Sequence, residues 1–144
     1  MTQAQSSRKT AQVHIGGRCE LRCAVCDCRD YREERDLDRR LAGGGKRLTL
    51  RGAARNNPMF DEVLDRARRA GFAEIHCRVS GVGFDDAAWL TRFASSGVTD
   101  VSVPLFSTDA RVHDRIAGET GALSKALYGL RALHGAGLGV EIEV

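Results

Sequence analysis

Five short apolar segments, separated by stretches with helical spacing, are the feature that most limits how this chain can fold. They recur at intervals of about 26 to 39 residues along the 144-residue sequence. The segments occupy positions 13–15, 48–50, 75–79, 101–105 and 140–144. Alternation of strand and helix predicts an α/β fold with a parallel sheet. In such folds the loops at the carboxyl ends of the strands carry the chemistry.

The helical stretches have recognisable ends. Asn57 is predicted to cap a helix whose first position is Pro58, and Gly71 is predicted to end it. Asp85 is predicted to cap the next helix. The charge-rich stretch 29–42 indicates an exposed helix or a partly ordered excursion. A last helix, 123–134, is predicted to turn three leucines inward: Leu127, Leu130 and Leu133.

Composition excludes several classes of protein. Hydrophobic residues make up 42% of the sequence, and no run approaches the roughly 18 apolar residues of a membrane span. The net charge of +3 comes from scattered arginines, which argues against a nucleic-acid partner. Residues 1–10 are expected to form a flexible polar tail, and 11–144 a single domain. A cytoplasmic location is expected, where five cysteines indicate metal or redox chemistry rather than disulfides.

The loop after the first strand contains three closely spaced thiols, Cys19, Cys23 and Cys26. Thiolates favour zinc or an iron–sulfur cluster over hard cations. A [4Fe–4S] cube takes one cysteine per iron, so three ligands leave one iron with an open position. Zinc remains an alternative, with Cys28 as a fourth ligand, although zinc sites more often use two separated pairs. Otherwise Cys28 is a bystander or a thiol near the cluster, and Cys77 is predicted to be a buried small hydrophobe.

Other polar residues are weaker candidates. The pair His113 and Asp114 is either an acid/base pair or, more simply, a helix start that positions its loop. His76 has no partner at a recognisable spacing, which favours a packing role. Arg51, at a strand end, points toward the predicted site and is a candidate to meet a carboxylate.

The spacing C-x3-C-x2-C after a first strand resembles the cluster loop of the radical S-adenosylmethionine (radical SAM) enzymes. Residues 48–52 are similar to the second strand and the Gly-Gly-Glu loop of that family, and residues 113–118 to the stretch after its fourth strand. This resemblance implies a partial TIM-like barrel. It also implies a core domain that is truncated after the fifth strand, whose final strand needs a C-terminal partner segment or self-association.

The same resemblance implies a function. Cys19, Cys23 and Cys26 would hold a [4Fe–4S] cluster, and the open iron would bind S-adenosyl-L-methionine. Reduction by an electron donor protein would cleave the cofactor and start radical chemistry on an unknown substrate, such as a peptide or a small cofactor precursor.

Contacts to S-adenosylmethionine are implied for four further residues. Val25 stands where the family carries an aromatic residue against the adenine, and Gly52 and Ala53 stand in the Gly-Gly-Glu loop. Ser107 is the hydroxyl nearest to the end of the fourth strand, where Pro104 replaces the family's serine. Two alternatives stay open. One is a degenerate homologue that holds a cluster or zinc without catalysis, and the other is a nucleotide-binding module with redox-sensing cysteines.

Overall fold

A computed structural model of the chain describes residues 9–26 and 36–144. In chain order its elements are β1 (Thr10–His14), α1 (Leu37–Leu41), β2 (Gly45–Arg51), α2 (Pro58–Ala70), β3 (Phe72–Arg78), α3 (Ala87–Ala94), β4 (Asp100–Pro104), α4 (Ala110–Ala117), α5 (Ala122–Gly135) and β5 (Gly139–Glu143). Residues 1–8 of the predicted tail, Cys28, and residues 29–35 of the charged stretch lie outside the described residues. Within that stretch the structure describes only the short helix α1.

Within residues 9–26 and 36–144, five strands form one sheet in the order β1-β2-β3-β4-β5, and every neighbouring pair is parallel. The predicted α/β fold with a parallel sheet is therefore confirmed. Each strand lies beside the one before it, which is the order of a barrel, whereas doubly wound folds reverse their order at a switch point. All carboxyl ends consequently lie along one edge of the sheet.

The two faces of the sheet differ in chemistry. One face packs against the helices and buries Leu48, Leu50, Ile75, Cys77, Val101 and Val103. Against it lies an aromatic cluster in which Phe60 and Phe93 stack with ring centroids 5.6 Å apart. The opposite face carries the polar residues of β3 and β4, because successive side chains of a strand point to opposite sides.

Helix α2 forms as its sequence predicts. The Asn57 side chain accepts the N–H of Met59, Pro58 is the first residue, and Gly71 ends the helix in the left-handed conformation. Helix α3 is capped by Asp86 and not by Asp85, so that prediction was wrong by one residue. In helix α3, which begins at Ala87, Trp89 and Phe93 lie four residues apart on one face, and both side chains are buried in the core.

Helices α4 and α5 differ from the prediction in two respects. Residues 110–117 form a separate helix, α4, capped by Asp109, which begins before the helix start that the sequence analysis offered at His113 and Asp114. In α5 the inward face is Ala126, Leu130 and Leu133, while Leu127 is exposed. Small residues are needed on this side of α5 because the helix lies close to the loop after β3. A Cβ on Gly129 would lie 1.9 Å from the Gly81 carbonyl oxygen. None of the helices within 9–26 and 36–144 is long and apolar enough to cross a membrane.

Candidate functional site

A cavity of about 600 Å³ opens at the carboxyl edge of the sheet. Loops following β1, β2, β3 and β4 all contribute to its wall, among them Cys19, Cys23, Cys26, Gly52, Ala53, Ser80 and Phe106. The three predicted cluster ligands and the glycine loop after β2 therefore line the same cavity, as expected for the edge of a parallel sheet.

The first half of the cysteine loop is fixed to the loop after β2 by backbone contacts. The Ala53 N–H donates to the Gly16 carbonyl over 2.9 Å. Gly52 adopts φ +114°, and a Cβ there would lie 2.7 Å from the Gly16 oxygen. Only glycine tolerates both this positive φ angle and the close contact with the Gly16 carbonyl oxygen.

Asn57 ties these two loops to helix α2. Its Nδ2 donates to the carbonyl oxygens of Ile15 (2.9 Å) and Ala53 (2.8 Å), while its Oδ1 accepts the Met59 N–H over 3.0 Å. The sequence predicted the helix cap alone. The contact with Ile15 joins residues 42 positions apart, which no local pattern encodes, and the contact with Ala53 depends on the loop conformation that this approach of the two loops sets.

The second half of the cysteine loop is fixed to the end of α4. The N–H groups of Arg22 and Ala24 donate to the carbonyls of Ala117 (3.2 Å) and Ile116 (2.7 Å). A Cβ on Gly118, which has φ +75°, would lie 2.5 Å from the Arg22 carbonyl oxygen. Helix α4 is thus a support of the predicted cluster loop, a role that the sequence did not reveal.

The three cysteines differ in environment. Cys19 is exposed, and Cys23 and Cys26 are partly buried. Desolvation raises the pKa of the Cys19 thiol to about 11, although the Leu21 N–H that reaches its sulfur works in the opposite direction. Within 9–26 and 36–144 no three His, Cys, Asp or Glu side chains converge closely enough for a single metal ion. In a cube each cysteine binds a different iron, so its ligands need not converge on one point.

Cys77 behaves as predicted. It is buried in β3 among apolar neighbours, and burial raises the pKa of its thiol to about 12. It is therefore a core residue separate from the cavity, and it offers a control thiol for experiments on the loop.

The predicted cofactor contacts fall in two groups. Val25, which is 65% exposed, lines the cavity together with Gly52 and Ala53. Ser107 is not among the lining residues, and its Oγ accepts the N–H of Asp109 over 3.0 Å. Their roles toward S-adenosylmethionine stay predictions.

Charged residues that the sequence did not single out also line the cavity: four arginines, Arg18, Arg22, Arg55 and Arg78, and one acid, Glu20. Arg55 donates to Asp86 over 2.6 Å, and Glu20 accepts the Ser80 hydroxyl over 3.2 Å. Arg55 and Arg78 have acidic partners, Asp86 and Glu143, so the positive excess of the wall comes from Arg18 and Arg22 against Glu20, and this small excess favours negatively charged groups in a ligand.

His113 and Asp114 lie inside α4 and do not open a helix. His113 is buried, with its ring 5.4 Å from that of Phe106. Asp114 accepts the N–H groups of Gly121 (2.7 Å) and Leu123 (2.9 Å), and these bonds lower the pKa of its carboxyl. Of the two roles predicted for this pair, acid/base chemistry and positioning of a loop, the structure shows the second for Asp114, which holds the segment between α4 and α5.

His76 does have partners, which corrects the expectation of a simple packing role. Its Nδ1 lies 2.6 Å from Asp100 Oδ2, and its Nε2 lies 2.9 Å from Ser102 Oγ. Ser102 Oγ lies in turn 2.7 Å from Glu143 Oε1, and Arg78 Nε donates to the other Glu143 oxygen over 2.7 Å. Arg78 also lines the cavity, so these hydrogen bonds connect the face of the sheet opposite the helices with the candidate site.

Comparison with solved structures shows the fold. The chain is similar to anSMEcpe, a radical SAM enzyme, in its structure with bound AdoMet, with a TM-score of 0.66 and 14% identity over 93% of this chain and 43% of that one. The structure of anSMEcpe with AdoMet and the Cp18Cys peptide gives a TM-score of 0.64 and 14% identity over 92% and 42%. No protein family and no curated protein matches the sequence. This chain spans less than half the length of anSMEcpe, and the predicted partial radical SAM core fold is confirmed.

Proposed function

We propose that this protein is a radical SAM enzyme. In the proposal Cys19, Cys23 and Cys26 hold a [4Fe–4S] cluster, and S-adenosylmethionine occupies the cavity beside it. The observation that carries it is the shared cavity: three cysteines of one loop line the same cavity as the glycine loop after β2, and the fold is similar to that of anSMEcpe, which binds AdoMet. When bound, the reduced cluster would supply the electron that cleaves the cofactor and starts radical chemistry.

The residues of this chain fit that cofactor pair chemically. Thiolates are the ligands that iron–sulfur clusters use. Gly52 and Ala53 put no bulky side chain into the cavity, so a small zwitterion can approach their backbone. Arginines suit the carboxylate of the cofactor or of a substrate. Apolar rings in the wall, including Phe84 and Phe106, exclude water from reactive intermediates.

For the substrate we propose a peptide or a small precursor molecule. The support is the structure of anSMEcpe in which AdoMet and the Cp18Cys peptide are both bound. The arginines of the cavity favour a substrate with acidic groups. An electron donor protein is the proposed partner for the reduction step.

Anaerobic reconstitution followed by iron and sulfide analysis tests the cluster. We expect about four irons per chain. Replacement of Cys19, Cys23 or Cys26 by alanine should each abolish this occupancy. Cys77→Ala is the matched control, since its buried thiol lies outside the cavity.

A second measurement tests the activity. With dithionite as reductant, the reconstituted protein should convert S-adenosylmethionine to 5′-deoxyadenosine. A stable four-iron protein that produces none would leave only the structural role for the cluster. If the protein binds one zinc ion tightly and takes up no iron, the assignment of the three cysteines to an iron–sulfur cluster is refuted as well.

A further inference from the structure

Three aromatic side chains of the described residues line the cavity, and they differ in how much of each ring is accessible. Phe84 and Trp89 are buried, at 3% and 7% exposure. Both rings also pack against Phe93 in the core, with centroids 5.2 and 5.5 Å from it. Phe106 is only partly buried and belongs to none of these ring contacts. Within 9–26 and 36–144 it is therefore the aromatic residue of the wall that offers ring surface to a ligand.

The neighbours of Phe106 fix its ring beside the cysteine loop. It packs against a small buried group that includes Leu21 of this loop and Ala117 of α4, and Cys23 packs against the same group. On α4 the buried ring of His113 lies 5.4 Å from the Phe106 ring, tilted by 41°. Since the end of α4 also holds the cysteine loop by backbone hydrogen bonds, one helix positions both the ring and the predicted cluster ligand.

Two other residues assigned to cofactor contacts cannot serve as an aromatic platform. Val25 lines the cavity but has no ring. Ser107 follows Phe106 directly, yet it is not part of the wall, and its hydroxyl accepts the Asp109 N–H. The loop after β4 thus contributes a phenyl ring to the cavity in place of a hydroxyl.

The chemistry of the ring selects a flat aromatic ligand. A base stacks on an aromatic side chain through its π-face, and this contact is one of the stronger ones that a base makes with a protein. Ring pairs of this kind prefer an offset or tilted arrangement, which needs one accessible face. In S-adenosylmethionine the adenine is the one aromatic group, and a cofactor held at the cysteine loop lies next to Phe106.

We propose that Phe106 is the residue on which the adenine of S-adenosylmethionine stacks. This inference rests on the proposed function and assigns a binding residue within the same site. The contact is non-covalent. Its role is to bind the adenosyl group and orient it beside the cysteine loop, while Gly52 and Ala53 lie at the other side of the proposed cofactor position.

Anaerobic calorimetric titration of the reconstituted protein with S-adenosylmethionine tests the contact. Phe106→Leu removes the ring and keeps an apolar side chain, so the packing beside Leu21 is largely retained. We expect its dissociation constant to rise by about fivefold or more, whereas Phe106→Tyr should bind as the unchanged protein does. Tyr128→Leu is the matched control, because it removes an aromatic side chain of α5 that is exposed and lies outside the cavity wall.

Two fragments of the cofactor separate a direct contact from an indirect one. Adenosine carries the base and lacks the methionine part, and L-methionine carries the amine and carboxylate and lacks the base. Phe106→Leu should weaken adenosine by about the same factor as S-adenosylmethionine and leave methionine unchanged. Equal weakening of the two fragments, or a loss confined to methionine, would show that Phe106 acts through the packing of the loop and would overturn the proposal.

The outcomes distinguish this inference from the proposed function. If the unchanged protein takes up no cluster or binds no S-adenosylmethionine, the proposed function fails. If it binds the cofactor, and Phe106→Leu binds it equally tightly with the same iron content, the proposed function stands and the stacking contact is refuted. Phe106→Ile, a second variant without a ring, decides the question in the same way if Phe106→Leu does not fold.

Discussion

The substitution Asn57→Asp separates the two tasks of this side chain. Aspartate caps a helix as well as asparagine does, so the bond from the Met59 N–H is retained. The other half of the side chain changes from a donor to an acceptor. It would then face the carbonyl oxygens of Ile15 and Ala53, which now receive the amide at 2.9 and 2.8 Å.

The expected loss of stability follows from those two contacts. Each lost hydrogen bond removes about 1 kcal/mol, and an acceptor that faces acceptors adds about 1–3 kcal/mol where it is desolvated. Asn57 is only partly buried, which reduces the second contribution. We therefore expect the free energy of unfolding to fall by about 2–4 kcal/mol.

Urea denaturation followed by circular dichroism measures this difference. Asn56→Asp is the matched control: it adds the same charge one residue earlier, at an exposed position with φ +55°, which aspartate tolerates. A loss for Asn57→Asp no larger than that of the control would refute the claim that Asn57 fastens the two loops of the site.

Three further predictions concern the cavity, its support and the sheet. Val25→Tyr should tighten binding of S-adenosylmethionine to the reconstituted protein roughly 5- to 150-fold, because stacking of a base on an aromatic ring contributes about 1–3 kcal/mol. An unchanged dissociation constant in a calorimetric titration would show that the adenine does not lie against residue 25. Gly118→Ala should destabilise the protein by about 1–3 kcal/mol more than Gly121→Ala, because both lose a left-handed glycine but only the former meets the Arg22 carbonyl; equal urea midpoints would contradict this. Burial would raise the pKa of the Asp100 carboxyl, but its hydrogen bonds lower that pKa. The stability that Asp100 contributes is therefore present above about pH 4 and is lost as the pH falls through the pKa of the folded state. Asp100→Asn should make the free energy of unfolding less dependent on pH in this acidic range.

The parts of the fold that could be predicted depend on local signals. Apolar alternation within a few consecutive residues is such a signal, and it located the five strands of the described part of the chain. The beginning and end of α2 follow from Asn57, Pro58 and Gly71, each of which acts on the backbone beside it. The shared cavity of the three cysteines follows from topology, because a parallel sheet brings the loops after its strands to one edge.

The parts that could not be predicted depend on register and close approach. His76 meets Asp100 because β3 and β4 pair with those two residues opposite each other, and no pattern within either strand fixes that pairing. Leu127 continues a leucine repeat, yet the contact of Gly129 with the Gly81 carbonyl rotates α5 so that Ala126 faces inward instead. In both cases the deciding neighbour is distant in sequence.

The polar face of the sheet indicates what kind of interior this fold encloses. Strands of parallel sheets are usually apolar on both faces, and closed barrels fill their interior with layers of branched aliphatic side chains. Here β3 and β4 present Glu74, His76, Arg78, Asp100 and Ser102 on that face, linked by hydrogen bonds. His76 and Ser102 are buried in this group, whereas the side chains of Glu74 and Asp100 are 40% and 25% exposed, so the ion pairs at their end of the strands contribute little to stability. Arg78 stands at the other end of β3 and lines the cavity, so it is the residue through which this polar face reaches the candidate site.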